Sequence, residues 1–300
     1  RHPGRGGSSA LWSMDWVGVF RSRGSVRGRY GARVTTEVAA LLAAYDDQLR
    51  EAAEFGGAHE VTRHGPLWWG LFGHGGFCSY RDLGGAEGEA VDALIAATID
   101  HFRDDTEVAE FEWKSRGHDA PVDLPERLVA HGLVAEERET VMIGEARLLA
   151  VDVALPDGVV VRQAGVGGDL YDDVRRASAM QESVFGKGRG TDPDELSSNL
   201  AHRPDLGGLW LAEADGEVVS AGRLTVVEGT EFAGIWGGST LAHWRGRGIY
   251  RAMTAARARA ALDLGVRYIN SDCTDMSRPI LERSGLVAVT TTTPFLWSRP

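Results

Sequence analysis

The chain has 300 residues, 43% of them hydrophobic and 25% charged, enough apolar material for a sizeable core in two domains or one large one. Its net charge of −11 argues against a general nucleic-acid binder, and its two cysteines, Cys78 and Cys273, support neither a disulfide framework nor a zinc or redox pair. No apolar run approaches the roughly 18 residues of a membrane span, so the expectation is a cytoplasmic protein in a reducing compartment, without membrane, nucleic-acid or metal partners.

Residues 1–33 stand apart. Arg1, Arg5, Arg21, Arg23, Arg27, Arg29 and Arg33 face one acid, Asp15, among many glycines and serines. This composition reads as a basic, disordered extension, or as sequence foreign to the native protein. Its WVGVF run is too short for the core of a signal peptide.

The remainder reads as one unit written twice, over 34–147 and 148–300. The first stretch has a helical pattern opening at Tyr45 (YDDQLREAAEF), a β-like run at 108–114 (VAEFEWK), a short helical PERLVAH, and then Gly132-Leu133-Val134-Ala135. The second has YDDVRRASAMQESVF from Tyr171, VRYINSD at 266–272, PILERS, and Gly285-Leu286-Val287-Ala288. The shared order argues for an internal duplication. In the first version the only glycine-rich turn ahead of a helix is LGGAEGE (83–89), with two acids and no arginine.

The second version reads in full. A strand at 159–165 is followed by helices at 171–185 and 192–201, joined by the loop GKGRG (186–190). A hairpin turns at Asp215-Gly216. A strand at 231–241, a helix at 249–265 ended by Gly265, a strand at 266–272, a short helix near 277–284 and the strand LVAVTTTTPFLW complete it. The result is a mixed α/β domain.

HWRGRGIYRAM, residues 243–253, lies between the strand at 231–241 and the long helix. A helix start presents unpaired N–H groups and partial positive charge, and glycines let the backbone close on an anion. Arg245, Arg247 and Arg251 add charge suited to phosphate. A Walker loop is excluded, because no Gly-Lys-Ser/Thr triplet occurs. A dinucleotide fingerprint is a competitor: Gly246 and Gly248 fill two of its positions and Asp272 stands where a ribose-binding acid would. Against it, the third glycine is Arg251, Ala242 to Arg245 separate the loop from its strand, and too little chain follows for the remaining strands.

Arg245-Gly246-Arg247-Gly248-Ile249-Tyr250 resembles the R/Q-x-x-G-x-G/A loop of the GNAT (GCN5-related) N-acetyltransferase superfamily, with Tyr250 in place of the last small residue. The order of elements over 159–300 and the segment SDCTDMSRPILERSGL resemble that family too. The resemblance implies a tandem GNAT-like acyl-CoA N-acyltransferase fold, with a degenerate first copy that has lost its loop and helps select the acceptor. It implies acetyl-CoA as cofactor, held by Arg245, Gly246, Arg247, Gly248, Ile249, Tyr250 and Arg251, with Gly238, Ser239 and Thr240 along the pantetheine arm. A bulge at Gly237-Gly238 would aim an N–H at the thioester carbonyl.

The same resemblance implies transfer of an acetyl group to a small-molecule or peptide amine, assisted by a general base. Glu231 is the first candidate and Asp272 the second. His243 reads as surface and Cys273 as a buried structural thiol. Many family members place a tyrosine, the acid for the departing thiolate, where this chain has Leu281; Tyr250 or Tyr268 could stand in. Trp210 and Trp236 read as core or as cleft lining. A non-catalytic acyl-CoA-binding sensor shares these binding features, and a homodimer stays open.

Overall fold

The computed structural model describes residues 31–73, 75–186 and 192–300, with backbone alone for 31–36. The basic stretch as far as residue 30, and Lys187 to Gly190 of the GKGRG loop, lie outside the described residues. In chain order the elements are α1 (Gly31–Gln48), β1 (Glu60–His64), β2 (Leu67–Phe72), β3 (Gly75–Ser79), α2 (Glu89–Asp100), β4 (Glu110–Arg116), α3 (Leu124–Ala130), β5 (Val134–Ala135), β6 (Glu139–Glu145) and α4 (Ala146–Leu149). They continue with β7 (Val159–Gln163), α5 (Leu170–Phe185), α6 (Pro193–His202), β8 (Gly207–Ala214), β9 (Glu217–Val226), β10 (Phe232–Thr240), α7 (Ile249–Asp263), β11 (Tyr268–Cys273), α8 (Arg278–Arg283) and β12 (Val287–Ser298). This is the expected mixture of α and β.

Contacts divide the chain into two units. One holds Met142–Val287; the other holds the described residues up to Val141 together with Ala288–Pro300. The sequence reading put a single boundary after residue 147 and left the last strand in the second domain. The difference lies in β12, which pairs antiparallel with β4 from Thr292↔Arg116 to Ser298↔Glu110, and with β5 at Phe295↔Ala135. A strand joins the edge that offers hydrogen-bond partners, whatever its place in the chain.

In the first unit β1, β2 and β3 form an antiparallel meander, and β4 joins β3 in parallel after the α2 crossover. Phe102, Phe111 and Trp113 are fully buried, and Phe295 and Trp297 of β12 complete their cluster. Past the last β3–β4 pair, Cys78↔Trp113, polar side chains fill the space between the strands. Arg50 donates to Tyr80 O and to Asp119, each at 3.0 Å, and Tyr80 Oη donates to Asp119 at 2.6 Å. Arg116 pairs with Glu54, which also accepts from Ser79.

Tyr45 belongs to this network through Arg116 Nε, which donates to its hydroxyl at 3.4 Å. Tyr45-Asp46-Asp47 ends α1, whereas Tyr171-Asp172-Asp173 opens α5. The two Tyr-Asp-Asp stretches are therefore not equivalent, which corrects that part of the internal match. The Gly-Leu-Val-Ala match has a physical origin. Gly132 (φ 90) and Gly285 (φ 99) each end a helix in the left-handed region. Gly132 N and Leu133 N bond Val129 O and Leu128 O; Gly285 N and Leu286 N bond Glu282 O and Leu281 O. Both are Schellman caps, with a buried leucine on either side of the glycine.

In the second unit the strand order is β7-β8-β9-β10-β11, with β6 beyond β11. All neighbours from β7 to β10 are antiparallel; β11 joins β10 in parallel after the α7 crossover. Element ends match the sequence reading within about two residues, the usual scatter at frayed ends. The hairpin turn has Asp215 at φ 50 and Gly216 at φ 81, the two left-handed residues of a type I′ turn. Val174, Ala177 and Met180 of α5 and Leu196 of α6 pack with Leu209, Leu211 and Ala221 on one sheet face. Helix α7 covers the other face, where Arg257 lies against Gly222.

Candidate functional site

β10 leads into α7 through a single 3-10 turn, Ala242–Trp244, and then the two glycines. Gly246 has φ 74 and Gly248, the N-cap of α7, has φ 84; both angles strain any residue with a Cβ. Nothing lies within 4 Å of where a Cβ at Gly246 would stand, so the turn is open on that side. Ala252 N closes the first helical turn on Gly248 O at 2.9 Å. The N–H groups of Ile249, Tyr250 and Arg251 precede it and have no acceptor within the helix. Arg247 and Arg251 are exposed beside them, with Arg247 over the Trp244 ring at 4.8 Å. Arg245 does something else: its Nε donates to Thr240 O at 3.0 Å and ties the turn to the strand.

The strand is bulged. Its register with β9 moves from Trp236↔Arg223 to Ser239↔Ala221, one residue extra on β10, with Gly237 at φ 60. Gln181 Nε2 of α5 donates to Gly237 O at 2.7 Å. On its other edge β10 pairs with β11 only from Phe232↔Tyr268 to Gly234↔Asn270 among the described residues. Ser271 Oγ then donates to Ile235 O at 3.2 Å, after which the strands run on to Thr240 and Cys273 without ladder pairs. A bulged strand with one edge open thus leads directly into a glycine-capped helix start.

Tyr250 does not crowd the loop. Its ring crosses the strand at Gly238, where an added Cβ would meet Cε2 at 2.8 Å and Oη at 3.3 Å. The hydroxyl also meets the Ser277 side chain at the start of α8, with Cys273 and Arg257 nearby, and burial pushes its pKa up. Leu281 is fully buried and its carbonyl accepts from Leu286 N at 3.1 Å. The position where the resemblance implies a tyrosine in many members is here part of a helix cap.

The remaining expected residues separate. Ser239 and Thr240 are buried, with Ser220 Oγ donating to Ser239 O at 2.6 Å and meeting Thr240 Oγ1 at 2.9 Å. Asp272 stands on β11 two residues past the last pair with β10, half-buried. Glu231 stands before the far end of β10, exposed, 3.4 Å from Arg267. The structure therefore does not bring Glu231 to the bulge. Tyr268 lies at that same far end, under Arg267 and against Phe232. His243 is exposed, and the Cys273 thiol is buried. Trp210 is buried and Trp236 half-buried.

Sequence reasoning missed Gln181, Arg223, Asn270 and Arg257. No motif marks them, since each reaches the site through strand register or helix phase. Arg257 is 1% exposed; its Nη1 donates to Arg223 O at 3.1 Å and its Nε to Met253 O at 3.2 Å, and burial lowers its pKa.

The profile of the acetyltransferase (GNAT) family matches residues 174–280, which span α5 to the start of α8 and include the glycine turn. No curated protein matches the chain. Among solved structures, a GCN5-related N-acetyltransferase from Kribbella flavida is similar over 88% of this chain and 95% of its own, at 17% identity and a TM-score of 0.62. One from Sphaerobacter thermophilus covers 78% of each chain at 19% identity and a TM-score of 0.55. A tandem GNAT protein from the clavulanic acid biosynthesis pathway covers 90% of this chain and 96% of its own at 12% identity and a TM-score of 0.55. At these identities the likeness is one of fold. Residues 174–280 are a domain of the acetyltransferase (GNAT) family, in a chain of the GNAT fold.

Proposed function

We propose that the protein is an acetyl-CoA-dependent N-acetyltransferase with one working site, in its second unit. The observation that carries this reading is the glycine-capped start of α7 at the end of a bulged strand whose other edge is open. The N–H groups of Ile249, Tyr250 and Arg251 would take the pyrophosphate, with Arg247 and Arg251 adding charge. Gly246 and Gly248 allow the close approach, and Arg245 holds the turn in shape. The open edge of β10 from Gly238 to Thr240 would take the pantetheine amides as an added strand. A backbone N–H freed by the bulge would stabilise the developing oxyanion.

Acetyl-CoA supplies the activated acyl group; the chain's own residues handle protons and position. Of the two carboxylates, Asp272 is proposed as the base, directly or through water, because it lies beyond the point where β10 and β11 part. Tyr250 is proposed as the acid. As the amine nitrogen bonded to the acyl carbon and lost its proton to Asp272, the C–S bond would break, and Tyr250 Oη would give its proton to the departing sulfur and be reprotonated from water. The first unit is proposed as a diverged copy. Its β3-α2-β4 crossover parallels β10-α7-β11, but Glu87 and Glu89 flank its helix cap, and the Arg50–Asp119 and Arg116–Glu54 pairs fill the space past its parallel strands.

Titration calorimetry of acetyl-CoA, CoA and NAD against wild type and Gly248→Trp tests this. Micromolar acetyl-CoA binding that the variant loses by about 100-fold or more is expected. Absence of acetyl-CoA binding by folded wild-type protein overturns the reading. Binding without CoA release on any amine favours an acyl-CoA sensor, for which Leu281 is the supporting observation.

A further inference from the structure

Helix α7 lays two large polar side chains against the sheet beside the bulge. Tyr250, Thr254 and Arg257 stand at i, i+4 and i+7, on one face of the helix. Ala221 of β9 packs with α5, and Arg223 shares its sheet face by alternation, as do Trp236 opposite Arg223, Gly234 and its partner Asn270. Gly222, between Ala221 and Arg223, therefore turns to the other face, under α7. It stands opposite the bulged Gly237-Gly238, and Arg257 Nη1 lies 2.7 Å from where its Cβ would be. At Gly238 the Tyr250 Cε2 occupies the corresponding place, at 2.8 Å. Two glycines on neighbouring strands thus seat a phenol and a guanidinium from one helix, next to the proposed reaction centre.

Arg257 is fully buried, yet its partners among the described residues are neutral. They are the carbonyls of Arg223 and Met253, at 3.1 and 3.2 Å, and Thr254 Oγ1 at 3.3 Å. Thr254 in turn donates to Tyr250 O at 2.9 Å, so the arginine is braced on the helical turn that carries the tyrosine. These acceptors fix the guanidinium in place but supply no counter-charge. A cation held out of water without a carboxylate is costly. Besides burial, the group that acts on the Arg257 charge is the Tyr250 phenol. The other groups facing that phenol are the Ser277 side chain from α8 and the Cys273 thiol from β11. Burial opposes ionisation of Tyr250, as does Cys273, whereas Arg257 and Ser277 favour it.

We propose that Arg257 is a positioning residue for the acyl transfer, whose buried guanidinium stabilises the phenolate that Tyr250 becomes as it protonates the departing sulfur. This rests on the acetyl-transfer reading and deepens its account of the leaving group. The electron pair of the C–S bond goes to sulfur and the phenolic proton joins it. The negative charge then rests on Tyr250 Oη, beside Arg257, until water returns a proton. Because the cation is already in place, its field acts on the phenolate with no reorganisation at the moment of transfer.

The test has two readouts on the full chain, one of them independent of turnover. Ultraviolet difference titration, with Tyr250→Phe as the reference that lacks this one phenol, follows ionisation of Tyr250. CoA-release assays on an amine substrate give kcat, and calorimetry gives acetyl-CoA affinity. Arg257→Gln removes the charge and keeps an N–H donor for the Arg223 carbonyl, which guards against misfolding. It should move the Tyr250 ionisation at least about one pH unit higher and lower kcat about tenfold, with acetyl-CoA affinity within about threefold. Arg257→Lys, which keeps a cation, should bring the ionisation back to within about half a unit of wild type and recover most of kcat. In a Tyr250→Phe background, Arg257→Gln should change kcat less than about twofold, because the arginine acts through the phenol. An ionisation unmoved by Arg257→Gln, or an equal loss of kcat with and without the tyrosine, overturns the role of Arg257. Absence of acetyl-CoA binding by folded wild-type protein overturns the acetyl-transfer reading instead, a result the titration of Tyr250 does not depend on.

Discussion

Tyr250 and Gly238 show how a departure from a motif is absorbed. A tyrosine at the last position of the loop is acceptable because the strand it crosses has no side chain at that point. The proposed proton donor then reaches the bulge from α7 rather than from α8. Tyr250→Phe should lower kcat about 30-fold with acetyl-CoA affinity within twofold, and flatten the alkaline limb of the kcat profile, read by stopped assays across pH. Unchanged kcat would remove the tyrosine from the mechanism. Glu231→Gln should change kcat less than about threefold, since the carboxylate is engaged with Arg267 at the far end of β10. The sequence made Gly246 and Gly248 conspicuous. It could not reveal Asn270 or Arg223, because a strand residue gains its neighbours only once register is set.

Helix ends explain part of the apparent repetition. A glycine followed by leucine after an amphipathic turn is what a Schellman cap requires, and the chain uses it after α3 and α8. At Gly132 nothing lies within 4 Å of where a Cβ would stand, whereas at Gly285 the Leu148 side chain comes to 3.2 Å. Gly132→Ala should cost about 1 kcal/mol from the left-handed backbone alone, and Gly285→Ala more, measured by urea unfolding. Equal losses would mean that contact with Leu148 is not felt. At this scale most of the second unit was legible: strands, both helices before β8, the Asp-Gly hairpin and α7 all follow local patterns. The Tyr-Asp-Asp match misled because three polar letters say nothing about whether they open a helix or end one.

Across the molecule, buried ion pairs tie each unit to pH. Arg162 holds Asp173 at 2.5 Å and keeps its carboxyl below the usual range. Burial alone would raise Glu54, yet Arg116 and Lys114 bring it below that range too. Both carboxylates have folded pKa values below their unfolded ones. Their contribution is therefore complete above the usual carboxylate range and fades as pH falls through the folded values. Thermal midpoints should drop below about pH 4, and Glu54→Gln, which leaves Arg116 with a weaker partner, should cost about 3 kcal/mol at neutral pH. A midpoint insensitive to acid would refute this. Ending the chain at Val287 should remove hydrogen-exchange protection from β4 and β5 while β8 and β9 keep theirs, because β12 supplies Phe295 and Trp297 to the first unit.

By itself the sequence determined the mixed α/β class, the order of elements from β7 onward and the glycine turn ahead of α7, because periodicity, capping and turn chemistry are local. Only the tertiary structure decided the rest: that β12 belongs with the first unit, that Glu231 and the bulge lie at opposite ends of β10, that Tyr250 meets Gly238, and that Arg223 and Asn270 share a face. Each depends on which strand edge finds which partner, and that choice is settled by hydrogen bonding and packing between residues far apart in the chain.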